Sequence, residues 1–368
     1  MRLVELFCGT GGFSRGAHLA GFDVAAAFDI DEILSSSYAS NFPNTKLVRY
    51  DVAKLTAERL EREAGGPVDG IFGGPPCQGF SDIGRRDITD VRRKLLWHFF
   101  RLVREVQPTF FVMENVRGLL YPENVGELEA AIELVSDMYD VSDPQVWDSS
   151  QFGAATKRNR LFVVGMHRDR ADPVTPEDIA VWKRPAATVR HAIADLQSAS
   201  FVGHDEDGFD WWRIEKRGRP YDYAVPLRIR DRKLVGRFTG NRITAHTPKV
   251  IERFSDVPQG GMEKVGRHPR LSWAGQCPTL RAGTGVDRGS YQSVRPIHPE
   301  EDRVITVREG ARLQGFPDCH KFHPTVWHSF RMIGNSVSPI MAQAVFRAVS
   351  AKLDGVATRD EALAIAAE

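Results

Sequence analysis

Apolar residues in the first 165 positions fall into short blocks, and the blocks alternate with stretches of helical period. RLVELF (2–7), DVAAAFD (23–29), KLVRY (46–50), VDGIF (68–72) and TFFVME (109–114) read as buried strands. Between them GFSRGAHLA has helical spacing, and in LLWHFFRLVREV the residues Leu95, Phe99, Leu102, Val103 and Val106 share one helical face. This rhythm predicts an α/β fold, a parallel sheet wound by helices on both sides. VSDPQVWDSS and NRLFVVGM read as two further strands, and their close succession predicts an antiparallel pair closing the sheet edge.

In sheets of this kind a ligand sits outside the carboxyl ends of the strands, where loops are free to vary and helix N-termini point inward. The chemically distinctive residues all fall at such ends. FCGTGG (7–12) follows the first strand, and its glycines Gly9, Gly11 and Gly12 let backbone approach a ligand closely. Asp29 ends the second strand, twenty residues after Gly9, placed to accept hydrogen bonds from a ribose, and Asp51 closes the third. A dinucleotide fingerprint, GxGxxG, would have its third glycine where this chain has Ser14. The pattern favours S-adenosylmethionine, whose amino-acid tail has no need of the pyrophosphate arrangement, over NAD or FAD.

After the fourth strand comes GGPPCQGFS (73–81). Two prolines fix their own torsions and the first biases Gly74 toward extended backbone, so Cys77 is presented with little freedom. Such stiffness suits a nucleophile. A lone cysteine beside apolar residues is also what a buried small hydrophobe looks like, and the turn alone leaves both readings open. Glu114 and Asn115 end the fifth strand on the same surface.

Composition narrows the setting. With 368 residues, 42% hydrophobic and 26% charged, the chain is expected to be a soluble two-domain protein. Cys8, Cys77, Cys277 and Cys319 are far apart with no CxxC spacing, which argues against a zinc site and a disulfide framework, so no metal is expected. Neither a charged and apolar leader nor a long apolar run is visible, and a cytoplasmic location without membrane contact is expected. The formal net charge of +1 hides an uneven distribution. Residues 181–294 carry 20 Lys and Arg against 12 Asp and Glu, which leaves the rest of the chain acidic. In the densest part, 211–242, arginines alternate with aromatic and aliphatic residues. That pattern suits strands or loops lying along a polyanion, and equally a solvated face of a β-rich domain.

The chain resembles the DNA (cytosine-5) methyltransferases. The resemblance rests on ELFCGTGGFSRG (5–16), AFDID (27–31), GGPPCQGFS (73–81), MENVRGL (113–119), KRNRLFVVG (157–165), TVREGARLQGFPD (306–318) and IGNSVSP (333–339), in the expected order. The basic stretch between about 185 and 275 has no counterpart, and there the family carries its variable target-recognition domain. One departure stands out: where the family has Gln-x-Arg-x-Arg, this chain has Thr156, Lys157, Arg158, Asn159 and Arg160.

The resemblance implies a Rossmann-like, S-adenosylmethionine-dependent methyltransferase sheet built from residues 1–180 and 300–368, with a smaller target-recognition domain inserted at 181–299. It implies duplex DNA as the substrate, a monomer, and a bacterial modification enzyme paired with a restriction endonuclease that acts separately. By resemblance Cys77 adds to carbon 6 of a cytosine rotated out of the duplex, Glu114 protonates or hydrogen-bonds nitrogen 3, and Arg158 and Arg160 lie near the flipped base. The cofactor would lie against Phe7, Gly9, Gly11, Gly12, Ile30, Pro76 and Leu95, with Asp29 on its ribose, Asp51 on its adenine amino group and Asn335 near its methionine end. In the loop after Cys77, Gln78, Ser81, Arg85 and Arg86 would face DNA, with Ile83 a candidate wedge into the vacated stack. Thr279 would mark the junction leading back from the recognition domain. The alternative is a tRNA cytosine-5 methyltransferase, whose relatives carry a Cys-Phe-Thr signature that this chain lacks.

Overall fold

A computed structural model describes residues 1–76, 94–214, 222–224, 226–227, 236–283 and 294–367, with side chains described to residue 354. The five strands predicted from apolar blocks form as β1 (Arg2–Leu6), β2 (Asp23–Asp29), β3 (Lys46–Arg49), β4 (Gly70–Gly73) and β5 (Phe110–Asn115). They pair in parallel in the order β3-β2-β1-β4-β5. The order reverses between β1 and β4, so the connections leaving those two strands diverge and open a crevice at their carboxyl ends.

The predicted antiparallel pair is present at the edge beyond β5, and a further short strand joins it. β6 (Tyr139–Val141) and β7 (Gln145–Asp148) both pair antiparallel with β8 (Asn159–His167), one along each half of it. β8 itself pairs with β5 and therefore lies inside the sheet. Its run LFVVGMH is buried throughout, as a strand covered on both faces of the sheet requires.

Side-chain alternation with period two sends successive residues to opposite faces. On β5 and β8, Phe111, Met113, Leu161 and Val163 join a core covered by α3 (Ala57–Ala64), α4 (Lys94–Val106) and α5 (Val125–Glu133). Phe110, Val112, Phe162 and Val164 join the opposite core, under α1 (Gly12–Leu19), α6 (Pro176–Ala180) and the long α11 (Pro339–Ala367). A short helix, α2 (Tyr38–Asn41), leads into β3. The buried stripe of α4 is Leu96, Phe99, Phe100, Leu102 and Val103, so Phe99, Leu102 and Val103 of the expected face are buried, whereas Leu95 and Val106 at its two ends are half-buried.

A third core lies apart from the large sheet. It gathers Val189 and Ile193 of α7 (Val189–Ile193), Ile214 of β10 (Asp210–Ile214), Phe238 of β11 (Arg237–Thr239), Trp273, Leu280, Leu313 and Phe330. β9 (Ala199–His204), β10 and β11 make a three-stranded antiparallel sheet here. α8 (Pro248–Ser255) packs in a small neighbouring cluster, whereas α9 (Val307–Gln314) and α10 (Val326–Asn335) belong to this third core. At its base Arg312 is fully buried, with Asp318 accepting from its Nε at 2.6 Å and Nη2 at 2.7 Å. Among the described residues no helix is long and apolar enough to cross a membrane.

Candidate active site

The turn after β1 is tightly folded. Phe7, Gly9 and Gly11 all have left-handed backbone, with φ of 60°, 50° and 85°. An added Cβ at Gly11 would strike the Phe42 ring, whereas at Gly9 it would meet nothing within 4 Å. Gly9 thus lines open space, and Gly12 opens α1 directly behind it. The turn is tied to the end of β2, since the Gly9 N–H donates to Asp29 Oδ2 at 2.7 Å. The Asp31 N–H donates to the other oxygen at 2.8 Å. The Asp29 carboxylate keeps acceptor capacity beyond its backbone donors. Burial pushes its pKa up, against the pull of those backbone donors.

The other residues expected around a cofactor lie on several elements. Ile30 is 68% exposed beside Asp29. Asp51 caps the single turn Val52–Lys54 by accepting from the Ala53 N–H at 3.0 Å. Pro76 and Leu95 are half-buried, on the two sides of the connection between β4 and α4. Asn335 is exposed at the last position of α10, three residues short of the position preceding α11, so it does not cap that helix.

The carboxyl ends of β4 and β5 carry the second group. Glu114 is buried, and Arg160 Nε stands 2.8 Å from its Oε1. Burial raises the Glu114 pKa, and the positive charges of Arg160 and Arg158 oppose that rise. Asn115 donates from Nδ2 to the Pro75 carbonyl at 3.2 Å and thereby fastens the Pro-Pro turn to the end of β5. At Gly74 an added Cβ would stand 2.8 Å from Glu114 Oε2, so only glycine leaves that carboxylate room.

The two arginines, expected to act side by side, are placed differently. Arg160 meets Glu114, while Arg158 is fully buried and donates to the carbonyls of Leu280 at 3.2 Å and Gly334 at 2.7 Å. Thr156, at the place of the family's glutamine, forms a parallel bridge with Cys277, whose carbonyl accepts from its Oγ1 at 3.1 Å. The Thr279 hydroxyl donates to the Lys157 carbonyl at 2.7 Å. These contacts fasten the segment returning from the third core onto the start of β8.

Comparisons with known proteins converge on one chemistry. Residues 1–351 match the family described as C-5 cytosine-specific DNA methylase. The chain belongs to that family. It is 40% identical to the type II methyltransferase M.XorII of Xanthomonas oryzae over 93% of this chain and 82% of the relative. It is 30% identical to M.DdeI of Desulfomicrobium norvegicum, covering 95% of this chain and 88% of that one. A crystal structure described as a DNA modification methyltransferase encoded within an E. coli prophage superposes with a TM-score of 0.82 at 38% identity, over 96% of this chain and 99% of the other. The S. pombe Dnmt2 methyltransferase, at 19% identity, TM-score 0.63 and coverage of 97% and 99%, shares the fold. The protein is a DNA cytosine-5 methyltransferase of the restriction–modification type.

Within this methylase, Cys77, Gln78, Ser81, Ile83, Arg85 and Arg86 lie outside the described residues. The structure also brings in groups that sequence reasoning passed over. Glu5 of β1, buried beneath the turn, accepts from the Ser14 and Tyr38 hydroxyls. Thr10 is bonded to Ser37 and to His320. An acid in the first strand was the available signal for Glu5, and nothing local pointed to His320.

Proposed function

We propose that this methylase moves a methyl group from S-adenosylmethionine to carbon 5 of a cytosine rotated out of a specific duplex DNA sequence, through a bond from Cys77 to carbon 6. The observation that carries the reading is the Glu114–Arg160 pair, set at the strand ends against the Asn115-fastened turn that leads into Cys77. The cofactor reading is supported by the open side of Gly9, the spare acceptor capacity of Asp29 and the exposed Ile30 beside them. When bound, S-adenosylmethionine supplies an electrophilic methyl group.

Carbon 5 of cytosine is too weak a nucleophile until the ring is activated. The Cys77 thiolate adds to carbon 6, and the displaced electron pair moves through the ring to nitrogen 3, which takes a hydrogen bond or proton from Glu114. A carboxyl held above its ordinary pKa by burial keeps that proton available, and Arg160 fixes its orientation. After carbon 5 is methylated, a base removes its proton, the electron pair restores the ring double bond, and Cys77 leaves as thiolate. Extrusion of the base costs about a few kcal/mol of unstacking and unpairing, which binding must offset.

With labelled S-adenosylmethionine, the purified protein is expected to label duplex DNA and leave tRNA unlabelled; labelling of tRNA alone would overturn the DNA reading. DNA carrying 5-fluorocytosine at the target has no removable proton at carbon 5, so a denaturation-resistant adduct on Cys77 is expected. Turnover on ordinary DNA without such an adduct would reject covalent catalysis.

A further inference from the structure

We propose that His320 is a positioning residue that holds the cofactor turn from its outer side, acting through the Thr10 hydroxyl. The proposal rests on the reading of residues 7–12 as the S-adenosylmethionine turn. That turn contains a left-handed Phe7, a strained conformation for a side-chain-bearing residue that persists only where the surroundings hold it. The ligand side offers no such support at Gly9, which faces open space.

The support is on the other side. Thr10 is 1% exposed, and its Oγ1 stands 2.9 Å from Ser37 Oγ and 3.1 Å from His320 Nε2. His320 comes from the segment between α9 and α10, 310 positions away in the chain, and is fully buried against the rings of Phe316, Phe322 and Phe42. Its backbone is anchored too, because Arg308 Nη2 donates to the His320 carbonyl at 2.8 Å.

Asn41 defines the role of the ring nitrogen. Its Oδ1 accepts from the Lys321 N–H and its Nδ2 donates to the Lys321 carbonyl, both at 2.8 Å, which fixes the orientation of the amide. The same Nδ2 lies 3.2 Å from His320 Nε2 and donates to it. Nε2 is then an acceptor, and its one lone pair is shared between the Asn41 amide and the Thr10 hydroxyl in a three-centre bond. Burial, with Arg15 and Arg308 nearby, drives the His320 pKa far below the ordinary imidazole range, so the ring remains a neutral acceptor.

The test uses the full chain and reads S-adenosylhomocysteine affinity by calorimetry, thermal stability, and the separate KM for S-adenosylmethionine and kcat. Thr10→Val exchanges the hydroxyl for a methyl of similar size, and its Kd and KM are expected to rise about tenfold with kcat within about twofold. Thr10→Ser is expected to restore wild-type affinity. His320→Gln, which retains an acceptor near the Nε2 position, should bind more tightly than His320→Ala, and Thr10→Val combined with His320→Ala should be no weaker than the worse single variant. Unchanged affinity in Thr10→Val and His320→Ala overturns the proposal, as does a Thr10→Ser variant as weak as Thr10→Val. A wild-type protein that binds no S-adenosylhomocysteine overturns the cofactor reading itself.

Discussion

At Gly74 a single added methyl would stand 2.8 Å from Glu114 Oε2 and 3.7 Å from the Glu114 carbonyl oxygen, so the carboxylate that faces Arg160 would have to move. Gly74→Ala is expected to slow single-turnover methylation by about 10-fold or more while leaving S-adenosylhomocysteine affinity unchanged, because small misplacements at a reacting group are costly. Glu5 offers a different measurement. Burial raises its pKa from 4.5 to about 8. The folded state therefore holds a proton that the unfolded state has released between those values, and stability contributed by this group falls as pH rises across that window. The slope is at most about 1.4 kcal/mol per pH unit. Glu5→Gln cannot titrate, so in urea unfolding it should lose less stability than the wild type between pH 5 and pH 8. The sequence places Asp29 and Glu114 correctly at strand ends, because such ends are visible in the apolar pattern. It does not separate Arg158 from Arg160, since two arginines two positions apart look equivalent until depth distinguishes them.

Between elements, the closest approach of α1 to α11 depends on Gly16, where a Cβ would run into Ala342. Gly16→Ala is expected to destabilise the protein by about 1–3 kcal/mol through overpacking. Ala342→Gly in the same chain should recover part of that loss in denaturant midpoints, because the two sites share one volume. Strands β1, β2, β4 and β5 were legible, since each is an apolar block buried on both faces of the sheet, and β3 was legible from the shorter apolar pair Leu47 and Val48, although it stays half-buried at the edge. β8 was legible as a strand antiparallel to β7, and its apolar run without alternation signals burial on both faces; that it also pairs with β5 and β6 was decided by the packing of the whole sheet. β6 was not legible, because YDV is three residues with a charge at its centre, held by pairing to β8 and by Tyr139, which is buried in the core and donates to the Pro108 carbonyl at 2.6 Å.

Across the whole molecule, the basic stretch 181–294 faces an otherwise acidic chain. Arg242 and Arg267 are exposed there, and Arg242 lines a cavity with Ile243, His268, Arg295, Trp327 and Phe330 between that stretch and α10. A cationic and aromatic lining suits DNA. Replacing Arg242 or Arg267 with alanine is expected to weaken duplex binding and to flatten the dependence of log affinity on log salt by about one for each phosphate left unneutralised, measured by fluorescence anisotropy. The sequence by itself determined the alternation of strands and helices and which residues stand at the strand ends, because periodicity and chain adjacency are local. Only the tertiary structure decided that Arg160 meets Glu114, that Arg158 reaches the carbonyls of Leu280 and Gly334, and that His320 holds Thr10. Those pairings join residues far apart in the chain, and what brings them within hydrogen-bonding distance is the packing of whole elements, which no local pattern records.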